Sequence, residues 1–197
     1  MIYKAKKTNV VNAIEVLKRG KIIIYPTDTL YGFGVDATNS IAITKINKLK
    51  NRNQPLSIIV DSIQMLKRYA SVNSSEIQFL ENYFPGAFTF LLKKKNSNLS
   101  NMVTLNSNKI GIRIPENNFI LDVVKTFNKP IITTSINLHG ENSVNDLETI
   151  KQNFHKIDIF EGRTKAASIG STIVDLTTNQ PKIIRKGDGN LIYENLS

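Results

Sequence analysis

A chain of 197 residues, 41% apolar and 21% charged, is long enough to bury one sizeable core and too ordinary in composition for wholesale disorder. It contains no Cys, which excludes disulfides, thiolate nucleophiles, zinc–thiolate sites and iron–sulfur clusters and fits a reducing cytoplasm. Lys and Arg number 26 against 16 Asp and Glu, giving a net charge of +10 and a pI near 9.7, a balance that attracts polyanions such as nucleic acid and nucleotides.

Met1 to Lys7 carry positive charge with no apolar run behind it, so they do not read as a secretory signal. No apolar run approaches the roughly 18 residues that cross a bilayer. The expectation is a soluble, cytoplasmic chain with no membrane partner.

Thr8 is placed to cap a helix over Asn9 to Arg19, with Val10, Ala13, Ile14 and Leu17 on one face and Gly20 as its stop. Lys21 to Tyr25 carries three consecutive Ile, the pattern of a strand buried on both faces. Asn39 or Ser40 caps a helix to about Lys50, and Leu56 to Val60 reads as a second buried strand. Short helices are predicted near Ile63 to Tyr69 and from Ser74 to about Tyr83, then a strand through Phe88, Phe90 and Leu92. Lys94 to Ser107 is a polar loop, followed by a strand over Ile110 to Ile114, a helix over Phe119 to Phe127 and a strand over Ile131 to Thr134. A helix near Asp146 to Phe154 and strands near Ile157–Phe160, Thr172–Asp175 and Ile183–Arg185 complete the chain. Strands and helices mix throughout, with no repeat and no linker. The pattern predicts one α/β domain over residues 1–197, with a twisted, mixed, partly parallel sheet flanked by helices.

Gly32-Phe33-Gly34-Val35-Asp36-Ala37 matches a loose dinucleotide fingerprint. In that motif the glycines follow the strand at once and open the helix. Here Pro26 to Tyr31 intervene before the first glycine and the helix cap comes only at Asn39 or Ser40, which argues against it. No G-x-x-x-x-G-K-[ST] is present, so an ATP site would have to be built without a P-loop.

Polar clusters recur at the ends of apolar strands, where open α/β sheets place ligands. They are Pro26-Thr27-Asp28-Thr29-Leu30-Tyr31-Gly32, Lys50-Asn51-Arg52 before Pro55-Leu56, Thr133-Thr134-Ser135-Ile136-Asn137, and Gly170-Ser171-Thr172-Ile173-Val174-Asp175 with Ile184-Arg185-Lys186-Gly187 soon after. Taken singly each has a plain structural reading: a turn, or cations complementing a helix end.

Taken in order, Pro-Thr-Asp-Thr-x-Tyr-Gly, Lys-x-Arg before Pro-Leu, Ile-x-Arg-x-Pro (Ile112 to Pro115), Ser-x-Asn, and Ser-Thr-x-Val-Asp with Ile-Arg-x-Gly resemble the YrdC/TsaC-like threonylcarbamoyl-AMP synthases. The resemblance runs from about Ile22 to Gly187, and is to the short form without an extra C-terminal domain. It implies a basic concave cavity in which ATP, L-threonine and bicarbonate become L-threonylcarbamoyladenylate and pyrophosphate. The product serves threonylcarbamoyl modification of adenosine in tRNA by downstream transferase enzymes. Carried over by position, Thr29, Arg113, Ser135 and Ser171 contact threonine. Lys50, Arg52, Lys109, Asn137, Asn145 and Arg185 face ATP, with Lys50 and Arg52 as the catalytic cations and no protein-held metal. Ungapped alignment would instead pair Lys48 and Lys50 with the Lys-x-Arg positions, and both registers stand. Lys109 and Asn145 occupy positions where the family often has hydroxyls.

The implied reaction sets one anion against another. Two unit charges about 4 Å apart repel by roughly 4 kcal/mol at an effective dielectric near 20, about three powers of ten in rate. Arg forks, Lys point charges and Mg²⁺ on the triphosphate would offset that. Little proton transfer is needed at this step, so ordinary roles are expected for His139 and His155. The Lys94 to Ser107 loop is a candidate lid against hydrolysis of the mixed anhydride. A competing reading is a non-catalytic module that grips double-stranded RNA or tRNA. It accounts for the charge and for Lys93-Lys94-Lys95, but not for the hydroxyls and amides after apolar strands. A related carbamoyl-adenylate domain of hydrogenase maturation sits in longer chains with zinc-binding Cys, which this sequence lacks.

Overall fold

The computed structural model describes residues 1–51, 53–137 and 143–192. Along the chain run β1 (Ile2–Lys4), a 3₁₀ turn (Lys7–Asn9), α1 (Val10–Lys18), β2 (Ile23–Tyr25), β3 (Gly32–Gly34), α2 (Ser40–Leu49), β4 (Ser57–Ile59), α3 (Ile63–Leu66) and β5 (Ala70–Ser71). Then come α4 (Ser74–Glu81), β6 (Phe88–Lys94), β7 (Lys109–Arg113), α5 (Asn118–Phe127), β8 (Ile131–Ser135), α6 (Leu147–Asn153), β9 (Asp158–Glu161), β10 (Thr172–Asp175) and β11 (Lys182–Arg185).

Local signals set most helix ends. Asn39 caps α2 by accepting from Ala42 N at 3.1 Å, Asn117 caps α5 through Ile120 N at 3.2 Å, and Asp146 caps α6 through Thr149 N at 2.8 Å. Asn73 and Glu76 form a reciprocal capping box at α4. The start of α1 differs from the expectation for Thr8: a 3₁₀ turn takes up Lys7–Asn9, and Asn9, at the cap position, makes no capping bond through its side chain. Gly20, with φ +62°, ends α1 in the left-handed conformation.

The strands form one sheet in the order β1-β9-β2-β3-β8-β4-β7-β6-β10-β11, with β5 beside β6. The pairs β1/β9, β2/β9, β4/β7 and β6/β10 are parallel and the rest antiparallel. The mixed, partly parallel sheet is therefore present. Strands β1, β3 and β5 were not expected. Gly34 of β3 explains part of the misleading fingerprint: a Cβ there would lie 2.7 Å from Tyr25 Cε1, so the residue admits the Tyr25 ring rather than a phosphate.

Side chains alternate across this sheet, and register aligns the alternation from strand to strand. Ile58 pairs with Ile112 and Ile132, and Phe90 with Ile112 and Val174. All five are fully buried and form an apolar face. Phe79 of α4 and Phe84 pack edge-on to Phe90 at 5.9 and 5.2 Å, covering that face with aromatic carbon. α1 packs on α5, whose Phe119 stacks on Phe160 of β9. No helix among the described residues is long and apolar enough to cross a membrane.

Candidate active site

The opposite parity of the same strands is polar. Ser57 pairs with Gly111 and Thr133, Gly32 with Ser135, and Thr89 with Ile173. Residues two apart share a face, so Ser57, Thr89, Arg113, Thr133 and Ser135 form one row across four strands, β4, β6, β7 and β8. The row floors a cavity of about 250 Å³ whose walls are Thr27, Thr29 and Leu30 on one side and Ile169, Gly170, Ser171 and Arg185 on another. This is slightly below the roughly 300–1,000 Å³ typical of ligand sites. The cavity lies over the face of the sheet, whereas the sequence suggested strand ends.

Arg113, at the end of β7, is 6% exposed. It forms an ion pair with Asp28 and donates to Thr29 Oγ1 at 2.9 Å. Burial depresses the affinity of its guanidinium for its proton, and the Asp28 charge opposes that. Arg113 Nε and Asp28 Oδ2 are buried without hydrogen-bond partners among the described residues. Arg185 of β11 donates to Ser171 O at 2.7 Å and reaches Ser171 Oγ at 3.4 Å. Burial lowers its pKa, and the like charge of Arg113 lowers it further. Asp188, whose charge also acts on Arg113, is paired with Lys165 at 3.7 Å. Three cations thus face two carboxylates and leave local positive charge lined with hydroxyls, suited to a small anion that also carries hydrogen-bond donors. Gly187 permits the packing behind the wall: a Cβ there would stand 2.4 Å from Gly170 O and 2.5 Å from Ser171 O.

A strap from Gly162 to Gly170 is fastened over the Thr27–Tyr31 loop. Tyr31 Oη donates to Gly162 O at 2.5 Å and accepts from Gly162 N at 2.9 Å. Lys165 N donates to Thr29 O at 3.1 Å, while Asn145 accepts from Tyr31 N at 3.0 Å and donates to Lys165 O at 3.1 Å. Within the loop, Thr27 Oγ1 donates to Leu30 O at 2.7 Å and lies 3.0 Å from Thr29 Oγ1.

Thr29, Arg113, Ser135, Ser171 and Arg185 thus meet in one cavity. Lys50 and Asn137 stand behind it. Lys50 is fully buried at the end of α2, and its Nζ donates to Ser135 O at 2.5 Å, Asn137 Oδ1 at 2.5 Å and Asn137 O at 3.0 Å. Its ammonium also lies 5.9 Å from the centre of the Phe33 ring. Lys109 lies at the other end of β7 from Arg113, roughly 13 Å along the strand, and is ion-paired with Asp175 at 2.7 Å. Asn145 serves the strap described above. Lys109 and Asn145 do not line the cavity. Arg52 and His139 lie outside the described residues. His155 is exposed at the end of α6.

The loop expected as a lid is instead tied down. Leu56 N donates to Val103 O at 2.8 Å, Ser100 N to Ala37 O at 3.1 Å, and Val103 is fully buried. Asp28 was part of a motif in the sequence but had no assigned role, and Thr89 was missed. For Thr89 the signal was strand parity shared with the Ile-x-Arg strand.

A family model for Sua5_yciO_yrdC, described as telomere recombination, matches residues 15–187. The chain belongs to the Sua5/YciO/YrdC family. A Methanocaldococcus jannaschii protein, provisionally named a threonylcarbamoyl-AMP synthase, is 34% identical over 197 residues, covering 94% of this chain and 91% of the relative. Pyrococcus abyssi Sua5, solved in complex with L-threonine, superposes with a TM-score of 0.86 at 26% identity over 95% of this chain. This chain spans only 57% of that Sua5 chain. Escherichia coli YciO gives a TM-score of 0.88 at 22% identity over 100% of this chain and 99% of its own, a likeness of fold.

Proposed function

We propose that this chain is an L-threonylcarbamoyladenylate synthase, a nucleotidyltransferase that supplies the activated group for threonylcarbamoyl modification of tRNA. The observation that carries the reading is the convergence of Arg113, Arg185, Thr29, Ser135 and Ser171 on one cavity. The relatives named for this activity and the threonine complex of Sua5 support it.

In this reading L-threonine and bicarbonate condense to N-carboxythreonine with loss of water. Its carboxylate oxygen attacks the α-phosphorus of ATP, the bond to the bridging oxygen of the β-phosphate breaks, and pyrophosphate leaves. Arg113 and Arg185 offset the anionic repulsion, and the hydroxyls read the amino acid. ATP extends from the cavity past Arg185 toward Asn137, and Arg52 keeps the phosphate role that its motif implies. Lys50 acts through Ser135 and Asn137, and Lys109 and Asn145 through the walls they brace. Among the described residues no three His, Cys, Asp or Glu side chains gather into a metal cage. Mg²⁺ enters this reading with the substrate, as MgATP.

The test is pyrophosphate release from ATP, measured with and without L-threonine and bicarbonate. Release that requires both supports the reading, and release indifferent to threonine defeats it. Arg52→Ala is expected to lower turnover far more than Lys94→Ala.

A further inference from the structure

The hydroxyls lining the cavity divide into those with a proton to give and those without. Each carries one proton and two lone pairs. Thr27 Oγ1 gives its proton to Leu30 O at 2.7 Å, so in its 3.0 Å contact with Thr29 Oγ1 it accepts. The Thr29 proton is thereby committed, and its oxygen already receives Arg113 Nη2 at 2.9 Å. Ser135 Oγ donates to Asn137 Oδ1 at 3.0 Å. That amide is fixed in orientation, because Lys50 Nζ at 2.5 Å requires an oxygen there. Toward the cavity, Thr29 and Ser135 offer lone pairs alone.

Thr89 and Ser171 differ. Their oxygens lie 2.8 Å apart, with Thr89 4% and Ser171 6% exposed. Among the described residues the one further side-chain hydroxyl contact of the pair is Arg185 Nη2 to Ser171 Oγ at 3.4 Å, which brings a proton and takes none. Two hydroxyl protons thus share a single bond, and one remains for a ligand. Either hydroxyl can donate to the other; with Thr89 in the floor on β6 and Ser171 in the wall just before β10, donation by Thr89 leaves the Ser171 proton to point inward.

We propose that Thr89 is a positioning residue for the amino-acid substrate. It holds Ser171 as the hydroxyl donor to the substrate carboxylate, beside Arg113 and Arg185, while Thr29 and Ser135 receive the N–H and O–H protons of the substrate's other end. The ligand class is an α-amino acid with a side-chain hydroxyl, so the inference rests on the amino-acid reading of the cavity. Thr89 contributes through Ser171, not by contact with reacting atoms.

The test uses the full chain and titrates L-threonine calorimetrically, with KM for threonine and for ATP from pyrophosphate release. Thr89→Val keeps the shape and removes the hydroxyl. It is expected to weaken threonine about tenfold, as for one lost hydrogen bond to a charged group, with KM for ATP within about twofold of wild type. Thr89→Ser is expected to bind threonine as wild type does. Thr89→Val added to Ser171→Ala is expected to cost nothing beyond Ser171→Ala alone, since both act through one contact. Wild-type affinity in Thr89→Val, or full additivity in the double variant, overturns the proposal. So does a tenfold loss in Thr89→Ser, which carries the test if Thr89→Val does not fold. A wild-type chain that binds no threonine defeats the amino-acid reading itself. Binding by wild type that Thr89→Val leaves unchanged defeats the role of Thr89 alone.

Discussion

Lys50 Nζ lies 2.5 Å from both the Ser135 carbonyl oxygen and Asn137 Oδ1, so a buried cation ties the end of α2 to the corner after β8. An ammonium has three protons, and the third meets Asn137 O at 3.0 Å. Lys50→Met strands these oxygens in the interior. The expected cost is about 2–3 kcal/mol of stability, from hydrogen bonds to a charged group. Lys50→Arg does not recover it, because a planar fork cannot reproduce the ammonium geometry. Chemical denaturation of both variants, with threonine titration, checks this. Unchanged stability with a loss confined to ATP would move Lys50 from bracing to phosphate contact.

Arg113→Gln removes the cation facing Asp28, whose Oδ2 is already buried without a partner among the described residues. Breaking a buried pair in this way typically costs about 3–5 kcal/mol. The variant is also expected to lose any thermal stabilisation by L-threonine, which for an intact site filled at 100 times Kd amounts to about 2.7 kcal/mol. Melting curves with and without threonine separate the two effects.

Lys50, expected among the ATP-facing cations, illustrates what a sequence leaves hidden. A lysine in the last turn of a helix reads as a solvated charge complementing the dipole, and nothing local reveals that its tip meets oxygens from residues 135 and 137. The central strands were legible because Ile22-Ile23-Ile24 is an unbroken apolar run and Leu56 to Val60 is apolar but for Ser57. β3 was not, since Gly-Phe-Gly has little strand preference and becomes a strand through its neighbours, β2 and β8. Thr29, Arg113, Ser135 and Ser171 were found as motif members, and the structure gathers them. Thr89 stands second in β6, between Phe88 and Phe90, where its register with β7 and with Ile173 of β10 shows which side it faces.

Asn47 of α2 is 9% exposed, and neither its side-chain oxygen nor its nitrogen finds a partner among the described residues. Burying an amide unpaired costs roughly 1–3 kcal/mol in proteins. Asn47→Leu, close in size, is expected to raise stability by about 1 kcal/mol or more. The urea midpoint should rise with an unchanged slope, and a fall in the midpoint would mean that the amide has a partner, such as water.

Acid sensitivity is expected to involve Asp175. Burial pushes its carboxyl pKa up, but Lys109 at 2.7 Å and the Thr177 hydroxyl and amide outweigh that and hold it below its ordinary value of 3.8. A folded pKa below the unfolded one adds stability above the unfolded value, and that contribution disappears as pH falls through the folded value. Between roughly pH 5 and pH 2 the wild type should therefore lose stability more steeply than Asp175→Asn. Denaturation midpoints across that range measure the difference, and parallel profiles would remove Asp175 from the account.

No contiguous stretch of chain owns the cavity floor, which draws on β3, β8, β4, β7, β6 and the approach to β10. Opening any one of these strands removes part of it, so occupancy reports on closure of the whole middle of the sheet. A bound small molecule would act as a rivet across segments far apart in sequence, slowing amide exchange from Gly32 to Asp175 in concert.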